Sequence, residues 1–195
     1  MSFANPKSDA VANASTYVAS LLAVLGDRDP MRVLAELPDA VAALVAGMTD
    51  EELRTPERDG KWSVMQVLQH LADTEIVYGY RWRVSVAEEA PPLVGYDQDL
   101  WATRLHYHEG SPAELLEEIR VMRRRNLRLL RALSDEELDR VGMHSERGPE
   151  SVRRGRDLVA AHDLVHRAQI ARIRGIVAAA GAAATGTPPR AGGAS

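Results

Sequence analysis

His162 and His166 are the residues whose type and spacing most directly suggest chemistry. They lie four residues apart in the segment AAHDLVHRAQIAR, residues 160–172. Side chains four residues apart share one face of a helix, so both imidazoles can reach a single metal ion. The pair differs from the His-Glu-x-x-His motif of zinc proteases, because Asp163 follows the first histidine. Six histidines in 195 residues give such a spacing by chance in roughly one chain in five, so the pair alone is a weak signal.

A third histidine, His70, belongs to a different predicted helix. It falls among Val67, Leu71 and Thr74, at spacings that face a helix core. Buried imidazoles are costly unless they have partners, and a metal ion supplies one to each ring. The residues alone leave two interpretations open. The three rings are either core histidines satisfied by hydrogen bonds, or a three-nitrogen metal site with further positions open to water or substrate.

Several polar residues are candidates for auxiliary roles around these histidines. Asp73 and Glu75 follow His70 within about one and a half turns, where a carboxylate can serve as a partner of a ligand or as a general base. Gln169, one turn after His166, is a third candidate. Three residues in the connector after the His70 helix are candidates for lining the approach, with packing as the alternative for the last: Tyr96, Asp97 and Trp101.

The other histidines and a row of arginines are expected to be solvated. His106 and His108 lie in a polar connector, and His144 lies in a loop before the last helix, where it has little weight as a ligand. Glutamates precede the arginine row on the same predicted helix, which favours an exposed face with ion pairs within the helix over a phosphate or nucleic-acid surface. The row consists of Arg120, Arg124, Arg128 and Arg131.

Helix starts define the elements that position these residues. Capping residues mark the starts of helices at Ser63 and at Ser111, the latter followed by Pro112. The last long helix is predicted to begin at Ser151 and to reach about Ala180. A fourth long helix is predicted from Asp9 to Leu25. Shorter pieces are predicted to begin at Pro30, Pro38, Thr49 and Ser134. No strand pattern is evident, so the sequence predicts an all-α four-helix bundle with short connecting helices, one domain over residues 1–180 and a disordered tail over 181–195.

Composition narrows the classes of function. With 45% hydrophobic residues and few aromatics, the 195-residue chain suits one helical domain. It has no cysteine, which excludes disulfides, thiol nucleophiles and cysteine-ligated metals. The net charge of −4 argues against nucleic acid as a partner. No signal segment or long apolar run is evident, so we expect a cytoplasmic protein without a membrane partner. The alanine-rich helices favour a homodimer.

Three segments carry a resemblance to a known family. WSVMQVLQHLADTE, YDQDLWA and AAHDLVHRAQIARIR resemble, in this order, the DinB-like superfamily and within it the YfiT-type proteins. The resemblance spans residues 35–177. It implies a four-helix bundle in which three histidines hold one divalent ion, zinc or nickel: one from the helix that begins at the WS motif and two from an HxxxH pair. In this sequence those residues are His70, His162 and His166.

The resemblance implies two kinds of reaction. YfiT-type members are classed as metal-dependent hydrolases, and other members use low-molecular-weight thiols such as bacillithiol or mycothiol. An ion with an open side can lower the pKa of a bound water and polarise a carbonyl, or bind a thiol as thiolate. We therefore expect a metal-dependent hydrolase or thiol S-transferase acting on a small molecule. The alternative is a stress-responsive metalloprotein without turnover, whose ion is structural.

Overall fold

Long helices form the body of the fold, which a computed structural model describes for residue 16 and residues 18–185, with 182–185 as backbone only. The long helices are α2 (Pro30–Val45), α4 (Val64–Ala87), α6 (Pro112–Ala132) and α8 (Val152–Thr185). Shorter ones are α1 (residues 18–25), α3 (Asp50–Arg54), α5 (Gln98–Arg104) and α7 (Asp135–Leu138). Because α2 and α4 each pack against both α6 and α8, the prediction of an all-α four-helix bundle is confirmed.

The helix that carries His70 begins where its capping box predicts. The Ser63 hydroxyl accepts from the Gln66 amide, and the Gln66 side chain accepts from the Ser63 amide, so two otherwise unpaired donors are satisfied. Ser151 caps the start of α8 by accepting from the Arg154 amide. Local signals therefore fix the first residue of both histidine-bearing helices.

One helix of the bundle differs from the prediction. The sequence predicts two short pieces beginning at Pro30 and Pro38, but α2 is one continuous helix with Pro38 inside it. Proline lacks the amide that would bond to the carbonyl four residues earlier, here that of Leu34. The Arg123 guanidinium donates to this carbonyl at 2.9 Å instead. A tertiary hydrogen bond therefore replaces the missing helical one, and α2 takes the place in the bundle that was predicted for the helix from Asp9 to Leu25.

The ends of the chain lie partly outside the described residues. Of the helix predicted from Asp9, the structure describes residue 16 and residues 18–25, which are helical. At the other end α8 reaches Thr185, so it continues past Gly181, where the sequence predicts a tail. The rest of the predicted tail, 186–195, lies outside the described residues.

A small sheet corrects the prediction that the chain has no strands. It consists of β1 (Pro92–Leu93), β2 (Val141–His144) and β3 (Gly148–Ser151). The strand order is β1-β2-β3, with β1 parallel to β2 and β2 antiparallel to β3. The hairpin closes at Gly148, whose φ of +73° is a conformation that glycine adopts without strain. Strands this short carry too few residues for a period of two to be seen in the sequence.

A buried polar layer divides the bundle core into two apolar halves. On α8, Ile170 belongs to one apolar cluster and Ala161 to the other, with the two histidines between them. On α6, Ile119 and Leu127 belong to opposite clusters in the same way. The buried polar side chains between the clusters form what we call the polar layer: His70, Asp73, Thr74, Glu75, Arg123, Asn126, Asp163 and His166. In the described part of the chain, no helix is long and apolar enough to span a bilayer.

Candidate metal centre

The structure brings the rings of His70, His162 and His166 together between α4 and α8. The centroids of the rings are 4.9 Å apart for His70 and His162, 4.8 Å for His70 and His166, and 4.2 Å for His162 and His166. One nitrogen from each ring lies within 4.8 Å of the other two. The spacing of four residues puts His162 and His166 on one face of α8, and α4 packs against that face with His70. The cluster therefore has the donor set of a three-imidazole metal site.

Burial keeps these imidazoles neutral. Desolvation is the main cause that holds the pKa of His70 and of His162 well below the usual range, and the charge of protonated His166 adds to it. For His166, burial lowers the pKa to about 4, although its hydrogen bond to the Gln169 oxygen opposes the shift. A neutral imidazole offers a lone pair to a metal ion. All three rings are therefore in the protonation state that coordination requires.

The rings present their Nε2 atoms to the cluster, and a hydrogen bond to Gln169 orients the ring of His166. The Nδ1 atom of His166 donates to the side-chain oxygen of Gln169 at 2.8 Å, which leaves its Nε2 with a lone pair. The Nε2 atoms of His70 and His162 lie 2.8 Å apart. The Nδ1 atoms of these two rings are buried and have no partner among the described residues. Gln169 thus holds a position typical of the residues that orient metal-ligating histidines.

Arg123 anchors α8 to the rest of the bundle beside the histidines. Its guanidinium, 2% exposed, donates to Glu75 at 2.6 Å and to Asp163 at 2.5 and 3.2 Å. Asn126 donates to the other carboxylate oxygen of Glu75 at 2.9 Å. Asp163 directly follows His162, so the ion pair ties the helix at the position of a candidate ligand. Burial raises the pKa of Asp163 to about 6, and Arg123 opposes this shift.

The two carboxylates that the sequence singles out have different surroundings. Both oxygens of Glu75 are engaged, one by Arg123 and one by Asn126, so Glu75 stabilises the arginine within the core. Asp73 accepts a short hydrogen bond from the Tyr107 hydroxyl and has no cation beside it among the described residues. Burial is the main cause that raises the pKa of Asp73, and it also raises that of Tyr107.

Trp62 places the Asp73–Tyr107 pair near the histidines. Its ring makes an edge contact with His70, with centroids 5.1 Å apart, and another with Tyr107 at 6.4 Å. Trp62 is partly exposed, whereas the Tyr107 side chain is fully buried. One aromatic residue therefore connects the candidate metal centre with the hydrogen-bonded carboxylate.

Two of the predicted approach residues pack against each other, and the third caps a helix. Tyr96 stacks on Trp101 with ring centroids 4.4 Å apart, and burial raises the pKa of Tyr96 to about 12. Its hydroxyl is hydrogen-bonded with Thr74, which in turn donates to the carbonyl of His70 at 2.8 Å. Asp97 instead caps α5 by accepting from two backbone amides.

Two of the remaining histidines are exposed and one is buried. His106 and His108 are exposed beside Glu109, as predicted. His144 is not a loop residue: it ends β2, is 4% exposed and faces the protein interior. Arg124, Arg128 and Arg131 are exposed, as predicted, whereas Arg120 is half-buried and pairs with Asp39 of α2 and not within its own helix.

Sequence reasoning missed Arg123 and Tyr107. Arg123 lies four residues after Ile119 and four before Leu127, both buried, so an arginine within an apolar stripe was the available signal. Tyr107 lies in a loop between two exposed histidines, and no pattern marks it as a core residue. Its contact with Asp73 depends on how the loop folds back over α4.

Comparison with known proteins agrees with the geometry of the site. The chain matches the family model of the DinB superfamily over residues 34–170, a range that includes all three histidines. The chain belongs to the DinB superfamily. Proteins to which it is similar include "Putative metal-dependent hydrolase YfiT" of Bacillus subtilis, at 34% identity over 60% of this chain and 65% of that protein. A protein of Oceanobacillus iheyensis with the same description of its activity is 33% identical over 70% of this chain and 79% of its own length.

A solved structure shares the fold of this chain. YfiT from B. subtilis, described as "a probable metal-dependent hydrolase with an unusual four-helix bundle topology", matches with a TM-score of 0.68 and 30% identity. The match covers 75% of this chain and 86% of that chain. The descriptions of these relatives and the three-histidine cluster both support a bound metal ion.

Proposed function

We propose that this member of the DinB superfamily is a metal-dependent hydrolase whose ion, zinc or nickel, is held by His70, His162 and His166. The observation that carries the proposal is the convergence of three neutral imidazoles, with one nitrogen of each within 4.8 Å of the others. The Nε2 atoms of His70 and His162 lie 2.8 Å apart, so both rings present this atom to the same place. Three imidazoles suit several divalent metals. Zinc and nickel are proposed because the resemblance described above implies one of them.

When bound, an ion with three protein nitrogens and an open side acidifies water and polarises a carbonyl. The protein supplies the surroundings in which that chemistry takes place. Burial keeps the three imidazoles unprotonated, and Gln169 holds His166 in one tautomer. Arg123 fixes the backbone of α8 beside His162 through Asp163. These residues preorganise the donor set, so little rearrangement is required for binding.

Asp73 is the residue that we propose to move a proton during hydrolysis. Its carboxylate is bonded to Tyr107 and not to a cation, and its raised pKa makes it a better base near neutral pH than an ordinary aspartate. Trp62 contacts both His70 and Tyr107, the hydrogen-bond partner of Asp73, so one aromatic ring links the carboxylate's partner to a candidate ligand. Glu75 is less suited to this role, because Arg123 and Asn126 occupy both of its oxygens.

Transfer to a low-molecular-weight thiol is the second candidate function. The observation in its favour is the charge of the donor set: three neutral imidazoles leave the full positive charge of a divalent ion uncompensated, and an anionic thiolate would offset half of it. Incubation of the metal-loaded protein with a thiol and an electrophile tests this function. Consumption of the electrophile that depends on both the thiol and His70 supports transfer over hydrolysis.

Metal analysis of protein purified without an affinity tag tests the site itself. We expect about one ion per chain in the wild type and a loss of binding in the His70→Ala and His162→Ala variants. His106→Ala is the matched control, because His106 is an exposed histidine outside the cluster. Equal metal content in all four proteins would refute the assignment of the ligands.

A further inference from the structure

Buried hydrogen-bond donors without acceptors lie beside the small sheet, away from the three histidines. His144 is 4% exposed, and its Nδ1 accepts from the Glu146 amide at 3.1 Å. The neutral ring therefore carries its proton on Nε2, and that atom has no partner among the described residues. The Nε1 donor of Trp82, which is 3% exposed, also lacks an acceptor there. A buried donor left unpaired costs more than an ordinary hydrogen bond contributes, so both atoms indicate a missing acceptor.

Two arginines add positive charge at the same place. Arg147 is paired with Glu150 at 2.7 Å and donates to the Tyr78 hydroxyl at 3.4 Å. Arg81 is 5% exposed and donates to the Val94 carbonyl at 2.6 Å, but it has no carboxylate within ion-pair distance among the described residues. Glu150 therefore neutralises one guanidinium and leaves the other without a counter-charge. A buried cation in this situation is a favourable neighbour for an anion.

Tyr78 connects these donors into one site, which we call the Tyr78 cluster: Arg81, His144, Arg147 and Trp82 around Tyr78. The Cζ atom of Arg81 lies 5.0 Å from the centroid of the tyrosine ring, and the Trp82 ring lies 5.8 Å from it. Burial is the main cause that lowers the pKa of His144 to about 3, and the charges of Arg147 and Arg81 contribute to this shift. Arg81 donates to the carbonyl of Val94, the residue after Leu93, and Leu93 is the strand partner of His144. The imidazole is thus a neutral donor among cations.

Gly155 leaves room beside the indole of Trp82. A Cβ atom at position 155 would lie 3.1 Å from the Trp82 Nε1 atom and 3.7 Å from a carboxylate oxygen of Glu150. Any larger residue would crowd this donor, because contacts that short require the neighbour to move. The second turn of α8 therefore approaches the Tyr78 cluster through a residue without a side chain.

We propose that the Tyr78 cluster binds an oxyanion, the carboxylate or phosphate group of a small molecule. Such a group supplies acceptors for Arg81, His144 and Trp82 at once, and a guanidinium matches the planar geometry of a carboxylate or phosphate. The negative charge also balances Arg81. Water alone would satisfy the two unpaired donors but would leave the arginine without a counter-charge.

The Tyr78 cluster lies on the same helix as the candidate metal centre. His70, Thr74, Tyr78 and Arg81 are spaced four, four and three residues apart on α4, and so share one face. At ~1.5 Å per residue, His70 and Arg81 are about 16 Å apart along the axis, and helical side chains lean back towards the N-terminus. Tyr96, hydrogen-bonded with Thr74, lies between them. The suggestion that the anion belongs to a substrate of the metal centre rests on the proposed function. The anion-binding site itself is inferred independently of that function.

Calorimetric titration of metal-free protein tests the Tyr78 cluster independently of the ion. The probes are sodium sulfate, inorganic phosphate and acetate, with chloride at equal ionic strength as the reference. We expect saturable binding of at least one of these oxyanions to the wild type, and at least a tenfold loss of affinity in Arg81→Gln and in His144→Phe. Preference for acetate over the tetrahedral anions would identify a carboxylate site, and the reverse a phosphate site.

Arg128→Gln is the control, because Arg128 is an exposed arginine of α6. It should bind the anion as the wild type does. If Arg81→Gln fails to fold, Arg81→Lys replaces it, since this variant keeps the charge but loses the planar fork, and we expect a severalfold loss. No saturable binding to the wild type, or affinity unchanged in the Arg81 and His144 variants, would overturn the proposal. Failure of metal binding with anion binding intact would instead refute the proposed function alone.

Discussion

The Nε2 atoms of His70 and His162 face each other at 2.8 Å across the interface between α4 and α8. Both rings are held neutral by burial, so each can offer a lone pair from this atom. Two lone pairs at this distance repel unless a proton or a cation lies between them. Without an ion, the Nε2–H of one neutral ring donates to the Nε2 of the other. A divalent ion shared with His166 would instead accept the lone pairs of both atoms.

The effect of metal removal on stability distinguishes a catalytic role of the ion from a structural one. The Arg123 ion pairs join the same helices without any contribution from the histidines. We therefore expect a chelator to lower the melting temperature modestly while the helical content stays unchanged, as followed by circular dichroism. A structural ion would give the opposite result, because folding energy that depends on the metal is lost when it is removed. Unfolding of the chelated protein at room temperature would favour the structural role.

Substitution of Gln169 should weaken metal binding without changing the fold. Its side-chain oxygen accepts from Nδ1 of His166, so Gln169→Leu releases the ring from its orientation. We expect a loss of metal affinity of about 10- to 100-fold, measured by competition with a chelator. Gln169→Glu retains an acceptor and should keep most of the affinity. Similar affinities for the leucine variant and the wild type would show that the hydrogen bond does not orient the ligand.

Arg123→Met should be among the most destabilising single substitutions. It leaves the carboxylates of Glu75 and Asp163 buried without a cation, and loss of one partner of a buried ion pair costs about 3–5 kcal/mol. The measurement is the free energy of unfolding in urea. Combining it with Glu75→Gln and Asp163→Asn removes the unpaired charges and should recover part of the loss. Arg124→Met, the exposed neighbour, should change stability by no more than about 0.5 kcal/mol.

His144 should make the stability of the metal-free protein depend on pH. Its pKa is about 3 in the folded state and about 6.5 when unfolded, so below pH 6.5 the unfolded state binds the additional proton. Stability is then full above pH 6.5 and decreases as the pH falls towards 3. Between pH 7 and 5 this one group should contribute a loss of about 2 kcal/mol. Urea unfolding of wild type and His144→Phe in chloride buffer at both pH values measures it, and equal slopes for the two proteins would contradict the expectation.

The parts of the fold that the sequence predicts are those with local causes. Capping residues such as Ser63 and Ser134 satisfy amides of their own helix, so their signal is visible in a few neighbouring letters. The continuity of α2 through Pro38 was not predictable in the same way, because it depends on a hydrogen bond from Arg123, 85 positions further along the chain. The short strands at residues 92–93 and 141–151 depend likewise on pairing between distant segments.

In the candidate site, too, local features could be predicted from the sequence and tertiary contacts could not. The spacing of His162 and His166 and the helical phase of His70 are local properties, and they are sufficient to expect that the rings converge. The partners of those rings are tertiary contacts. That Arg123 pairs with Glu75 and Asp163, and that Tyr107 reaches Asp73, depends on how α6 and a loop lie against α4. The arginine in an apolar stripe was the single sequence signal for any of them.

The polar layer also fixes the register in which the helices pack. If α8 slid by one turn, about 5.4 Å, Asp163 would leave Arg123 and enter an apolar half of the core. An unpaired buried charge would make that arrangement unfavourable, and a shift in the other direction would have the same cost. One assembly of the bundle is thereby selected, and it is the one in which His162 and His166 stand level with His70. The buried charges thus ensure that the three imidazoles meet only in a correctly assembled protein.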